Sequence, residues 1–201
     1  MEIAPRRKRN SGTNTAAGAM RRLFVGVPLP GSALPFVLEA QRALPRAQDM
    51  RLLKPEQLHF TLAFIGEVDE GRKAAARAVV EGLPRDSGGE AWLEGILLLP
   101  NPKRARVVAL RVVDKAGVFS ELFGLVMDGL EAHGVTTREK RPFRAHLTIA
   151  RMRRPGLIGP THDCGRERFG VESVCLYESK LRREGAEYTV VARTELKMAE
   201  G

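Results

Sequence analysis

The sequence predicts an α+β fold made of two similar lobes that face each other across a cleft. Three observations predict it. A His-x-Thr-x tetrad with apolar x occurs twice, as His59-Phe60-Thr61-Leu62 and as His146-Leu147-Thr148-Ile149. Both copies lie in apolar runs, residues 58–66 and 145–152, that read as strands. Helical stripes and strand-like runs are distributed around the two copies in the order β-α-β-α-β-β-α-β-β-β, which suits antiparallel sheets with helices packed against them.

Residues two apart in a strand project from one face, about 6.6 Å apart along the chain. Each tetrad therefore offers an imidazole and a hydroxyl to a single face, close enough to share a phosphate-sized ligand. The opposite faces, Phe60/Leu62/Phe64 and Leu147/Ile149, are expected to pack into a core. The other two histidines lack the pattern, since Val135 follows His133 and Cys164 follows His162 at the same offset.

Taken in order, residues 1–20 carry Arg6, Arg7, Lys8 and Arg9 and then Ser, Gly, Thr, Asn and Ala without periodicity, which reads as a disordered basic tail. It lacks the apolar centre of a secretory signal. The remaining 21–199 form one domain of two lobes. Residues 23–27 are a strand stopped by Pro28 and Pro30. Leu34, Val37, Leu38, Ala40, Ala43 and Leu44 form a helical stripe that ends at Pro45. The first tetrad strand stops at Gly66, and Val68–Leu83 is a helix with Asp69 or Glu70 at its N-terminus. Two strands, 92–99 and 106–113, flank a basic turn containing Lys103 and Arg104. A helix at 118–133 is closed by Gly134, with His133 placed where a cation suits the helix dipole. A Gly/Pro loop spans 153–165, and 171–177 and 188–196 are the last strands, their separation by Glu184-Gly185 indicating a hairpin.

With 201 residues, 43% hydrophobic and 28% charged, the chain can bury a substantial core. A net charge of +9 points to an anionic partner, nucleic acid first, although basic composition alone also confers solubility. Cys164 and Cys175 read as free thiols in a reducing compartment, hence a cytoplasmic location. No apolar run approaches the ~20 residues of a membrane helix. His162, Cys164 and Cys175 lack a fourth ligand and a known zinc spacing, and there is no phosphate-binding glycine loop. No metal or cofactor is expected.

The residue types point to phosphoryl chemistry. In-line displacement at phosphorus needs a base on one side and an acid on the other, and histidine does either near neutral pH. Two strands from opposite lobes place one imidazole on each side, while the Thr61 and Thr148 hydroxyls stabilise the non-bridging oxygens. A strained 2′,3′-cyclic phosphate is already activated and requires no metal. Arg51, Arg144 and Arg151 are candidate phosphate contacts; Arg144 and Arg151 read equally well as solvated strand-end charges, and Lys103/Arg104 as a solvated turn.

The stretches HFTLAFIGEVDE (59–70) and RPFRAHLTIARMRR (141–154) resemble the two signature motifs of the 2H phosphoesterases, specifically the RNA 2′,3′-cyclic phosphodiesterase family, also called 2′-5′ RNA ligase or LigT/ThpR-like. The resemblance extends to RLFVGVPLP (22–30), LPNPKRARVV (99–108) and LYESKL (176–181). It implies a bilobal fold, with His59 as proton donor and His146 as proton acceptor. It also implies hydrolysis of an RNA 2′,3′-cyclic phosphate end to a 2′-phosphate, with reversible 2′-5′ joining of tRNA halves in some members. The chain departs from the family pattern at Leu52, where an aromatic is usual, in lacking a tryptophan near Val108–Leu110, and at Ala145, where proline is usual. A monomer is expected. Two other readings remain: a 2H enzyme acting on a small nucleotide, such as ADP-ribose 1″,2″-cyclic phosphate or 2′,5′-oligoadenylate, and a non-catalytic RNA-binding module. Binding alone needs no matched acid and base.

Overall fold

The computed structural model describes residues 20–45, 47–138, 141–159, 164–182 and 185–198. The basic tail, His162 and Glu184 therefore lie outside the described residues, apart from Met20 at the end of the tail. The strands are β1 (Arg21–Pro28), β2 (Met50–Leu52), β3 (His59–Val68), β4 (Gly89–Leu99), β5 (Ala105–Val113), β6 (His146–Gly156), β7 (Arg166–Val171), β8 (Ser173–Arg182) and β9 (Gly185–Glu195). The helices are α1 (Leu34–Arg42), α2 (Glu70–Glu81) and α3 (Val118–Ala132).

Eight strands lie in the order β7-β4-β5-β6-β3-β1-β8-β9, with β2 added against β6, and every pairing between these strands is antiparallel. The order is a palindrome of roles. Reading outward from the centre, β3-β1-β8-β9 and β6-β5-β4-β7 are equivalent halves, each opening on a tetrad strand. The halves meet through one bridged pair, Phe60 with Leu147. The two lobes are therefore not consecutive halves of the chain. The C-terminal hairpin β8–β9 returns to flank β1 and completes the lobe that begins at the N-terminus.

Local chemistry sets the helix ends. Asp69 accepts the Arg72 backbone N–H at 2.8 Å, a side-chain N-cap for α2. The Asp114 carboxylate takes the N–H groups of Val118 and Phe119 at 2.9 and 2.8 Å, capping α3 after Gly117. His133 ends α3 and donates Nδ1–H to the Gly129 carbonyl at 2.8 Å. The core lies between the helices and one face of the sheet: the Phe60 ring stacks on Phe169 of β7 at 4.9 Å and meets Phe119 of α3 at 5.1 Å. No described helix is long and apolar enough to cross a membrane.

Two strands escape sequence reading. β2 is three residues long and exists by pairing with β6 through Arg51–Arg151. β7, Arg-Glu-Arg-Phe-Gly-Val, is a charged edge strand that pairs, among the described strands, only with β4, and such polarity is how natural sheets blunt an edge. Consequently the expected 153–165 loop is shorter, because β6 continues to Gly156, and the expected 171–177 strand divides at Glu172 into the ends of β7 and β8.

Candidate active site

The first seven residues of β3 and of β6 have the same burial sequence, with the histidine and threonine partly exposed and residues two, four and five buried. The register explains this. Gly26 pairs with Thr61 and Val25 with Ala63, so Leu62 has no partner in β1; Ala109 pairs with Thr148 and Val108 with Ala150, so Ile149 has none in β5. Each tetrad thus ends in a β-bulge. A bulge inserts one residue and reverses which face the following side chains occupy.

The expected core position of Phe64 is thereby corrected. Phe64 lies beyond the bulge, is 63% exposed, and lines the cleft with His59. Arg151 is its counterpart beyond the bulge in β6 and lines the same cleft. Leu62, Phe60, Leu147 and Ile149 are buried as the alternation predicts.

The Phe60–Leu147 bridge sets the chemistry. Both side chains point into the core, so their neighbours His59, Thr61, His146 and Thr148 share the opposite face. In an antiparallel register the residues flanking that bridge bring His59 toward Thr148 and Thr61 toward His146. Each imidazole is oriented by the same device. His59 Nδ1 lies 2.8 Å from the Gln57 carbonyl and His146 Nδ1 lies 2.8 Å from the Arg144 carbonyl. A carbonyl only accepts, so Nδ1 carries the proton and Nε2 is the nitrogen left for a ligand.

The surroundings of the two rings differ. Phe24, Tyr188 and Tyr177 lie 4.6, 5.1 and 5.9 Å from the His59 ring, with Tyr188 edge-on. Burial lowers the His59 pKa to about 4; the Gln57 carbonyl opposes this, and the charges of Arg151 and His146 add to it. Burial likewise raises the Cys175 thiol and the Tyr177 phenol. Because folded His59 holds its proton less tightly than the unfolded chain, the unfolded state binds more protons between about pH 6.5 and 4. Its contribution is complete above that window and is lost as pH falls through it. Urea unfolding at pH 7 and pH 5 should show a smaller acid-side loss in His59→Asn than in the wild type; an equal loss would assign the effect to other groups.

The cleft has a volume of about 1010 Å³, and its described lining includes Arg22, Arg51, Arg151 and Arg153 but no carboxylate. Low-dielectric walls of one sign favour an anion. Of the arginines expected to bind phosphate, Arg51 and Arg151 are in this lining; the Arg144 side chain is exposed and outside it, and Arg144 serves the site through its carbonyl. Lys103 and Arg104 form an exposed one-turn helix away from the lining. Leu52 is 44% exposed. Cys164 and Cys175 are free thiols, the second buried beside Phe24 and Tyr177. Phe64, Arg22, Arg153, Gln57 and Tyr188 line the cleft unforeseen. The signal for Phe64 was its place five residues after His59, matching Arg151 after His146.

Gly26 sits where β1 approaches β3 most closely. A Cβ there would lie 2.7 Å from the Phe60 carbonyl oxygen, a backbone atom that cannot step aside. Gly26→Ala should cost about 1–3 kcal/mol by forcing the His59 strand outward, read as a lower urea midpoint; an unchanged midpoint would show that the strands separate freely.

The chain is similar in sequence and in fold to known proteins. Residues 27–109 match the family model described as LigT like Phosphoesterase. A protein of Methanothermobacter thermautotrophicus is 31% identical over 177 residues, covering 84% of this chain and 95% of its own length. The chain belongs to the LigT-like phosphoesterase family. That relative is named RNA 2′,3′-cyclic phosphodiesterase, as is one from Thermus thermophilus that is 32% identical over 191 residues, covering 90% of this chain and 92% of its own. Among solved structures, one of a Thermus thermophilus protein superposes with a TM-score of 0.78 at 28% identity, covering 89% of this chain and 100% of its own. E. coli LigT complexed with 3′-AMP shares the fold with a TM-score of 0.76 at 23% identity, over 90% of this chain and 100% of its own.

Proposed function

We propose that the protein hydrolyses a terminal RNA 2′,3′-cyclic phosphate to a 2′-phosphate by metal-independent acid/base catalysis between His59 and His146. The observation that carries this reading is the Phe60–Leu147 bridge, from which two oriented imidazoles and two hydroxyls share one face of the sheet; His59 also lines the arginine-rich cleft, whereas His146, Thr61 and Thr148 lie outside its lining. The names of the curated relatives support the substrate class.

In this reading His146 Nε2 takes a proton from water as its oxygen bonds to phosphorus. The bond from phosphorus to the 3′ oxygen breaks, and His59 gives that oxygen a proton. Thr61, Thr148, Arg51 and Arg151 hold the non-bridging oxygens, and exposed Arg144 meets the RNA backbone beyond the cleft. Phe64 offers an exposed ring to a base. A 5′-hydroxyl in place of water would form a 2′-5′ linkage instead, joining RNA ends such as tRNA halves. One chain supplies both histidines, so a monomer suffices, and the free thiols suit a cytoplasmic setting.

Free His59 is neutral at pH 7, with a pKa of about 4. A bound phosphate anion favours its charged form. Since the acid must be protonated, rate falls as pH rises through its pKa, and kcat should lose activity at a higher pH than kcat/KM, which reports the free enzyme. Turnover of an oligoribonucleotide ending in a 2′,3′-cyclic phosphate should survive exhaustive EDTA and exceed that of a cyclic mononucleotide. Loss on EDTA with rescue by a divalent ion would overturn the mechanism. Preference for the mononucleotide would favour a small-nucleotide enzyme, and binding without turnover an RNA-binding module.

A further inference from the structure

We infer that Gln57 is a positioning residue that ties the β8–β9 hairpin to the His59 strand and thereby fixes the ring's surroundings, an assignment that rests on the proposed two-histidine reaction. Gln57 ends a one-turn helix, residues 55–57, immediately before β3 and is 7% exposed. Every polar group it offers to the site is used. Its main-chain carbonyl accepts His59 Nδ1–H at 2.8 Å, and its Oε1 accepts the Lys54 backbone N–H at 3.1 Å. With the oxygen engaged there, the amide nitrogen faces the hairpin and donates to the Ala186 carbonyl at 2.6 Å.

That last bond crosses between elements 129 residues apart. β9 is an edge strand, paired among the described strands only with β8, so ties from outside the ladder add to what holds its cleft end. At its far end Thr194 is tied to the Val80 carbonyl at 2.6 Å. At the cleft end Gln57 holds Ala186, and two residues on, Tyr188 packs edge-on to His59 at 5.1 Å and 88°. Gln57 thus fixes His59 twice, at Nδ1 through its carbonyl and at the ring's flank through its side chain.

The hairpin end is closed from a second side. At Gly185 the Arg51 guanidinium occupies the space a Cβ would take, and φ is +129°. Gly185→Ala therefore disturbs the same clasp without altering Gln57 or His59; because it also displaces Arg51, a proposed phosphate contact, it is read by the His59 titration and not by turnover.

The test uses the full chain with Gln57→Met, which is near-isosteric and keeps the main-chain carbonyl, together with Gly185→Ala and the double variant. The charges facing His59 are Arg151 and His146, and its other close neighbours are Phe24, Tyr177 and Tyr188. None of these is altered, so the His59 titration read by NMR reports the ring's hydration. In Gln57→Met that titration should move up from the wild-type value toward an ordinary imidazole, as Tyr188 withdraws and water enters. On the cyclic-phosphate oligonucleotide kcat should fall roughly tenfold with KM within about twofold, the pattern of a misplaced group rather than lost binding. Gly185→Ala should move the His59 titration in the same direction, and the double variant should shift it no further than the more affected single. An unmoved His59 titration in Gln57→Met, an unchanged kcat in that variant, or additive titration shifts in the double variant would each overturn the assignment. If the wild-type protein fails to turn over the oligonucleotide, the proposed function is at fault, and the titration still decides the positioning.

Discussion

Replacing His146 with alanine is expected to lower turnover of an RNA 2′,3′-cyclic phosphate end by roughly 10²–10⁴-fold, the contribution of one proton-transfer group. The fold should remain intact. The His146 ring is partly exposed and is held through the Arg144 carbonyl, while the burial that anchors the strand belongs to Leu147 and Ile149, both 0% exposed. His59→Ala should lose as much rate but also some stability, because its ring fills space among Phe24, Tyr177 and Tyr188. Thr61→Ala and Thr148→Ala should cost less, each removing one proposed hydrogen bond to the phosphate. A substrate with a better 3′ leaving group separates the roles. It dispenses with the acid, so it should rescue His59→Ala far more than His146→Ala. Rescue of His146→Ala instead would exchange the two roles, and near-wild-type turnover by His146→Ala would sink the two-histidine mechanism altogether.

The second large effect is on stability. Phe60→Ala should cost about 3–5 kcal/mol, because the ring is wholly buried, stacks in parallel on Phe169 at 4.9 Å and meets Phe119 at 5.1 Å. The position also carries the bridge between the two half-sheets. Urea unfolding should give a lower midpoint with an unchanged slope. Turnover at a temperature where the variant is still folded should fall as well, since both tetrads lose their shared reference. Phe60→Leu keeps most of the volume and should be much milder on both counts. A Phe60→Ala midpoint equal to the wild type would mean that the halves are held together elsewhere.

The doubled tetrad, the three helices and the antiparallel α+β organisation were legible in the sequence, because each rests on local periodicity. Asp69 as the start of α2 and Gly134 after α3 follow from capping chemistry within a few residues of each helix end. What escaped was decided between strands. Strict alternation put Phe64 in the core, and only the register with β1 reveals that Leu62 is the extra residue. The same kind of register, between β5 and β6, places Arg151 in the cleft. β2 has three residues and no pattern of its own, and β7 carries the charges of an edge. Gln57 and Tyr188 are far from each other in sequence; Glu184-Gly185 indicates the hairpin itself, but nothing local shows that it folds back to bring Tyr188 to the ring that Gln57 holds.

The bridged pair at the centre has a further meaning. Two half-sheets related about Phe60–Leu147 give the cleft an approximate axis of exchange, on which each lobe's hydroxyl is the neighbour of the other lobe's imidazole. A phosphodiester placed on such an axis can be turned end for end and present its incoming and departing oxygens to the same two rings in swapped order. The roles of the two rings are then told apart by whatever spoils the equivalence, and here that is the aromatic wall of Phe24, Tyr177 and Tyr188 around His59. In the proposed reaction, near-symmetry would let either ring meet either oxygen, and three rings on one side distinguish the two.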